Sequence, residues 1–271
     1  PEPGPELVGH YKKILKQNLL KEGETFVFAT KMVFDPDMVV AMMTAAGELQ
    51  ATGAHVSVFP KITGNTYESG LTGWHWDLYA GADLLFNTSL GSSPGLPGAT
   101  TAYGNKVGDH PYRTDFEYLN RTGSKTRWLS FGYDLERQRR YFPTAERRQR
   151  TRRGAILLDR TRGELRVTND AGSDFRMDMT GRPGHAQYGI ADFPGRWDNF
   201  GYGCAACMPN EDSAEGVLVL QPGDIITSLY PKVLDEPIRL TFEGGYVTSI
   251  EGGKKAAQFQ NLLASYGSPE S

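Results

Sequence analysis

The sequence predicts an α/β fold: a Rossmann-like N-terminal domain with a parallel sheet, followed by a β-rich α+β second domain. Helix-type and strand-type patterns alternate from Glu6 to about Gly132, and after Arg153 the texture changes to short alternating strands with turn residues between them. A length of 271 residues with 39% hydrophobic content is enough for two domains of ordinary size with their own cores. The expected boundaries are 1–150 and 151–271.

The first element is a helix. Leu7, Tyr11, Ile14 and Leu15 recur at helical spacing, Gly23 closes the segment, and "TFVFAT" follows as a β-branched and aromatic run of strand length. The leading "PEPGP" has neither pattern and reads as a disordered lead outside the fold. Asp35-Pro36 has the chemistry of an N-cap and a first helical residue, so "PDMVVAMMTAAGELQATG" is predicted as a helix ended by Gly53, with "AHVSVFP" as the next strand. "ADLLFN" (82–87) and "TRWLSFG" (126–132) are further apolar runs bounded by turn residues, which completes a doubly wound parallel layout. Neither G-x-G-x-x-G nor G-x-x-x-x-G-K-[ST] follows any of these strands, so the device that holds a pyrophosphate on a helix N-terminus is missing and no nucleotide cofactor is expected. The Gly-, Pro- and Ser-rich stretch 87–111 is long for a compact domain, as a lid over a site or a variable surface loop would be.

Past Arg153, "GAILLDRTRGELRVTND" is predicted as two strands joined at Thr161 to Gly163, and "SDFRMDM" alternates as a strand does. "EGVLVLQPGDIIT" and "PIRLTFEGGYVTSIEGG" continue the β texture, with Gly244-Gly245 as a hairpin turn, and "KKAAQFQNLLASYG" closes with an amphipathic helix.

Charge narrows the partners. Lys and Arg total 29 against 32 Asp and Glu, a formal charge of -3, so no nucleic-acid footprint is evident. The eight arginines between Arg137 and Arg153 are read as a solvated helix face or subunit contact rather than a phosphate-binding strip. There is no apolar run of about eighteen residues and no signal-peptide pattern, so no membrane partner is expected and the cytoplasm is the default compartment. Cys204 and Cys207 have C-x-x-C spacing but no second ligand pair for zinc, and Met208-Pro209 follows where a redox motif would open a helix; small buried thiols are expected.

The chemistry concentrates in 171–175, 185–203 and "GCAACMPNEDSAEGVLVL" (203–220). Glu211, Asp212 and Glu215 surround Ser213 at the mouth of a strand, either as a solvated acidic turn or as the rim of a site that uses carboxylates as metal ligands or a general base. Ser213 lacks a G-x-S-x-G context, which argues against a serine nucleophile.

"NDAGSDF", "YGIADFPGRWD" and above all "PNEDSAEGVLVLQPGDII" closely resemble stretches of the 2,5-dihydroxypyridine 5,6-dioxygenases and, more distantly, of the metal-dependent aminopeptidases that share their fold. The motif match is specific over about 167–226. The resemblance implies a two-domain, self-associating metalloenzyme that acts on a small substituted aromatic or heteroaromatic ring in catabolism. A divalent transition metal is implied, Fe(II) for ring opening with oxygen, or Mn(II) or Zn(II) for a hydrolase of the same fold using metal-bound water. Glu211 is the implied catalytic carboxylate and metal ligand, since it follows Met208-Pro209 as a ligand Glu follows Met-Pro in the aminopeptidases. In those families most metal ligands lie in a segment beginning shortly after a helix like that at 254–266. The second domain is accordingly expected to be incomplete at its C-terminal end within these 271 residues, or else to have lost its metal.

Gln187 and Asn199 stand where the dioxygenases carry a Glu and a His. An amide moves no proton near neutral pH, so these two are expected to bind substrate by hydrogen bonds rather than to exchange protons with it. Trp197 and Phe200 are expected as an aromatic wall or as core, and Arg196 as a substrate-binding cation or as the internal partner of Asp192 or Asp198, the latter preferred. His185 is expected at the surface and His75 in packing.

Overall fold

The computed structural model describes residues 4–31, 34–58, 61–63, 66–68, 73–88, 106–107, 110–111, 118–120, 122–132, 134–160, 163–201, 203–226, 229 and 232–265. Its strands are β1 (Thr25–Lys31), β2 (Thr52–Val58), β3 (Lys61–Thr63), β4 (Thr66–Glu68), β5 (Leu84–Asn87), β6 (Lys106–Val107), β7 (His110–Pro111) and β8 (Arg127–Ser130). There follow β9 (Glu164–Thr168), β10 (Asp174–Asp178), β11 (His185–Gln187), β12 (Trp197–Asn199), β13 (Cys204–Ala206), β14 (Glu215–Leu220), β15 (Ile238–Glu243) and β16 (Tyr246–Gly252). The chain divides into two compact units, one of residues 1–151 and 187–204, the other of residues 152–186 and 205–271.

The first unit is built on a parallel sheet of order β12-β8-β5-β1-β2. Parallel strands bury both faces, and β5 and β8 are buried at every position. One face carries Phe26, Phe28, Phe86, Leu129, Phe131 and Phe200 under the helices Pro5–Gln17 and Pro36–Glu48. The other carries Val27, Ala29, Leu85 and Trp128 under Trp76 and Tyr79 of the helix Gly73–Gly81. Pro5, expected in a disordered lead, is the first residue of its helix, where a fixed φ and a missing N–H cost nothing. Asp35 caps the second helix, accepting from Asp37 N at 2.9 Å, as its sequence predicts. That helix stops at Glu48 rather than at Gly53, because Gln50 turns the chain with φ +59° and Gly53 already lies in β2. Of the stretch 87–111, residues 89–105 and 108–109 lie outside the described residues.

The second unit has an antiparallel sheet of order β16-β15-β14-β10-β9. Its core is small: Leu234, Ile238, Leu240 and Ala256, with Leu218, Leu220, Phe242 and Phe259 packed against them. β15 and β16 form the expected hairpin, and Gly244 (φ +56°) and Gly245 (φ +87°) supply the two positive φ values of its turn. The stretch "GAILLDR" is not a strand. It completes the helix Ala145–Arg160, because Arg-rich helix formers precede it without a breaker and its apolar residues are not committed to a sheet; Ile156 and Leu157 are exposed. The arginines of 137–153 sit on this helix and on Leu135–Arg140, all exposed but the half-buried Arg148. Among the described residues no helix is long and apolar enough to cross a membrane.

Candidate functional site

The motif residues fall in two places, one in each unit. In the first unit, residues 187–200 wrap around one buried carboxylate. Asp198 is fully buried and accepts hydrogen bonds from the backbone N–H of Tyr188 (3.1 Å), Gly189 (3.1 Å) and Asn199 (2.7 Å), while Arg196 reaches it at 2.5 Å. Burial pushes the Asp198 carboxyl up, against the pull of Arg196 and of the N–H donors. Arg196 lies over the Tyr188 ring (4.0 Å to its centroid), donates to the Ile190 carbonyl at 2.9 Å and stands 3.6 Å from Asp192. Its charge is thus spent inside the segment, which is the internal pairing preferred from the sequence. Ala191 N–H reaches Asn18 Oδ1 (2.7 Å), fastening the segment to the end of the first helix.

Alternation along β12 places Trp197 and Asn199 on one face of the sheet and Asp198 on the other. Asn199 Nδ2 donates to Gln187 Oε1 at 3.2 Å, so the two amides anticipated as substrate-binding residues are neighbours, both half-buried. Trp197 donates from Nε1 to Ser130 Oγ at 3.0 Å and packs against the core around Trp128. Phe200 is fully buried against Phe131, hence core rather than wall.

In the second unit, Glu211–Ser213 form one turn of 3-10 helix. Asn210 holds it to the end of β10 through Asp178 (Nδ2 to Oδ2 2.7 Å, N to the carbonyl 2.8 Å). Ser213 Oγ donates to the Asn210 carbonyl (2.6 Å) and accepts from Asp178 N (3.0 Å), a turn-closing role. Glu215 accepts from Gly244 N at 2.6 Å, which ties it to the hairpin turn, and Asp212 is exposed. Gly245 approaches so closely that a Cβ there would run into the Glu211 carbonyl oxygen and stand 2.9 Å from Asp212 Cα. The Glu211 side chain is 80% exposed and paired with Arg182, which also donates to Asn210 Oδ1 at 2.8 Å. The Glu211 backbone N–H and then Arg182 hold its carboxyl below the usual range.

Among the described residues no three His, Cys, Asp or Glu side chains gather as metal ligands. Glu211, bound to Arg182, does not by itself fit a metal centre. Cys204 is exposed and Cys207 half-buried, both free, which corrects the expectation of buried thiols: Cys204 opens the short strand β13, which forms a two-stranded sheet with β11, and Cys207 follows that strand. His185 is exposed and His75 buried, as expected. Two residues escaped the sequence reading in their actual roles. Asp198 was visible only as a partner for Arg196, and Arg182 gave no signal beyond its place in a Gly-Arg-Pro-Gly turn.

Residues 118–271 match the family described as NicX: 2,5-dihydroxypyridine 5,6-dioxygenase. The chain is 31% identical over 269 residues to the 2,5-dihydroxypyridine 5,6-dioxygenase of Pseudomonas putida (strain KT2440), covering 98% of this chain and 72% of that protein. The solved structure of 2,5-dihydroxypyridine dioxygenase from Pseudomonas putida KT2440 superposes with a TM-score of 0.75 at 28% identity, over 100% of this chain and 74% of the other. AmpT from Thermus thermophilus shares the fold, with a TM-score of 0.60 at 16% identity over 95% of this chain and 74% of that one. The chain belongs to the 2,5-dihydroxypyridine 5,6-dioxygenase family.

Proposed function

We propose that this member of the family opens a small hydroxylated nitrogen heteroaromatic ring with molecular oxygen, as a self-associating enzyme of cytoplasmic catabolism. The observation that carries the reading is the 31% identity to a dihydroxypyridine dioxygenase along 98% of the chain. The likeness to AmpT concerns the fold alone and lends a hydrolase no comparable support. A divalent transition metal, Fe(II) by that kinship, supplies the site at which ring and oxygen are activated. Glu211, held by Arg182, is not assigned to that centre.

What the chain's own residues do is bind and orient. Gln187 and Asn199 form an amide pair with donor and acceptor capacity left over, suited to the hydroxyl and ring nitrogen of such a substrate and unable to exchange protons with it. Trp197 lends an aromatic surface beside them. Arg196 and Asp198 act through the backbone, holding the two amides side by side.

The test is oxygen uptake by the full-length protein with 2,5-dihydroxypyridine after anaerobic loading with Fe(II), Mn(II) or Zn(II). Uptake matched to loss of ring absorbance with Fe(II) is expected. Absence of uptake with every metal, together with release of amine from aminated rings or peptides, overturns the reading.

A further inference from the structure

The helix Ala145–Arg160 has two faces of different chemistry. Arg148, Thr151, Ala155 and Leu158 recur at helical spacing and are buried or half-buried. Gly154, beside them, lies so close to β13 that a Cβ there would stand 3.0 Å from the Ala205 Cβ. On the opposite face Arg153, Ile156, Leu157 and Arg160 follow one another at i, i+3, i+4 and i+7, the spacing of a single stripe. All four are exposed, Ile156 by 50% and Leu157 by 66%. An apolar pair between two arginines is thus held out to solvent, on a helix with six arginines against two acids.

The second unit holds out another apolar pair, in acidic surroundings. Ile225 and Val233 face each other across an isolated antiparallel bridge. Ile226 N to the Lys232 carbonyl (2.9 Å) and Leu234 N to the Asp224 carbonyl (2.8 Å) keep the two segments in register. Residues opposite one another in such a pair project to one side, so Ile225 and Val233 make a single apolar spot, 63% and 52% exposed. Asp224 and Asp235 flank it and are exposed, and Asp224 is fixed by accepting from Gln221 N at 2.7 Å. Lys232, the nearest base, falls on the other side by alternation. Over residues 205–271 as a whole, nine acids stand against four bases.

We propose that the stripe Arg153, Ile156, Leu157 and Arg160 of one copy of this chain docks head to tail on the spot formed by Asp224, Ile225, Val233 and Asp235 of a second copy. Single exposed apolar residues are ordinary. These two sets differ in that each is an apolar pair inside a rim of one sign, and the two signs are opposite. Docking buries apolar on apolar at the centre and brings guanidinium to carboxylate at the rim, the usual layout of a protein interface. The chain itself carries both complements, which is why the occupant is a second copy. Both sets are exposed on one compact unit and so do not cover each other within it. Because they are different patches, each docking leaves one patch open at either end of the assembly until a ring closes. The inference deepens the self-association proposed above and rests on it; the oxygen chemistry plays no part in it.

The test is sedimentation velocity of the full-length protein as wild type and as two variants, one with Arg153→Glu and Leu157→Ser, the other with Ile225→Ser and Asp235→Lys. All four positions are exposed, and Leu157→Ser or Ile225→Ser alone replaces a double variant that does not fold. The wild type is expected to be an oligomer that loosens as salt is raised. Each variant alone should dissociate, with a dissociation constant raised about a hundredfold, since the centre and the rim of the contact are both lost. An equal mixture of the two variants should form dimers and nothing larger, because one intact stripe then meets one intact spot. A monomeric wild type overturns the self-association and the surface together. An oligomer that persists in both variants overturns the surface alone. A mixture that stays monomeric overturns the pairing of these two patches.

Discussion

Two sheets of five strands are held together in different ways in this chain. The parallel sheet of the first unit is covered on both faces, and its largest side chains, Trp76, Tyr79, Phe86 and Phe131 among them, are almost completely buried. The antiparallel sheet of the second unit packs on a small buried cluster around Leu234, Ile238, Leu240 and Ala256, and its edge strand β9 is exposed at all five positions. There the organisation rests on hairpin geometry, on turn-closing bonds such as Ser213 to Asn210, and on surface ion pairs such as Arg166 with Asp174. The difference teaches where each unit is vulnerable: the first to lost volume, the second to a disturbed turn.

The sharpest way to break the contrast is Phe86→Ala. Phe86 meets Phe26 edge-on at 5.3 Å and stacks on Phe131 at 5.3 Å, so truncation should cost the first unit about 3–5 kcal/mol, measured by urea unfolding. A comparable loss on truncating an exposed apolar residue of β9, such as Val167, would erase the distinction. Gly245→Val should cost less, about 1–3 kcal/mol, through its positive φ and its clash with the Glu211 carbonyl oxygen. Its effect should be local, with faster amide exchange over residues 210–215 and an undisturbed first unit.

The smallest effect is a pH dependence that separates the units. Burial depresses the pKa of His10 and of His55, which is bonded to Thr30 at 2.8 Å, below the ordinary 6.5. Protonation therefore favours the unfolded chain: the first unit keeps its stability above pH 6.5 and loses some as the pH falls below that value. In the second unit, Thr180 and Asn210 bond the Asp178 carboxylate and hold its pKa below 3.8, so that stabilisation is present above 3.8 and is lost only as the pH falls further. Thermal melts at pH 7.5, 5.5 and 3.5 should show the first unit responding already in the first step and the second unit only in the last.

Much of this was legible in the order of residues. The spacing of Leu7, Tyr11, Ile14 and Leu15, the Asp35-Pro36 cap and the Gly244-Gly245 turn each encode a local geometry with their own side chains and need no distant partner. The site was legible in part, through motifs that drew attention to Gln187, Arg196, Trp197, Asn199 and Glu211. "GAILLDR" misled because a short apolar run suits strand and helix alike until its neighbours choose.

By itself, then, the sequence determined the α/β class, the parallel and antiparallel textures, and the segments in which polar and aromatic chemistry collects. Tertiary structure alone decided that residues 187–204 group with the first unit, that Arg196 spends its charge on Asp198, and that Asn199, Ser130 and Asn87 share one row. The reason is physical. Periodicity and capping act over a few residues, whereas strand order and register join positions more than a hundred residues apart, and nothing local to Asn87 states which strand will lie beside it.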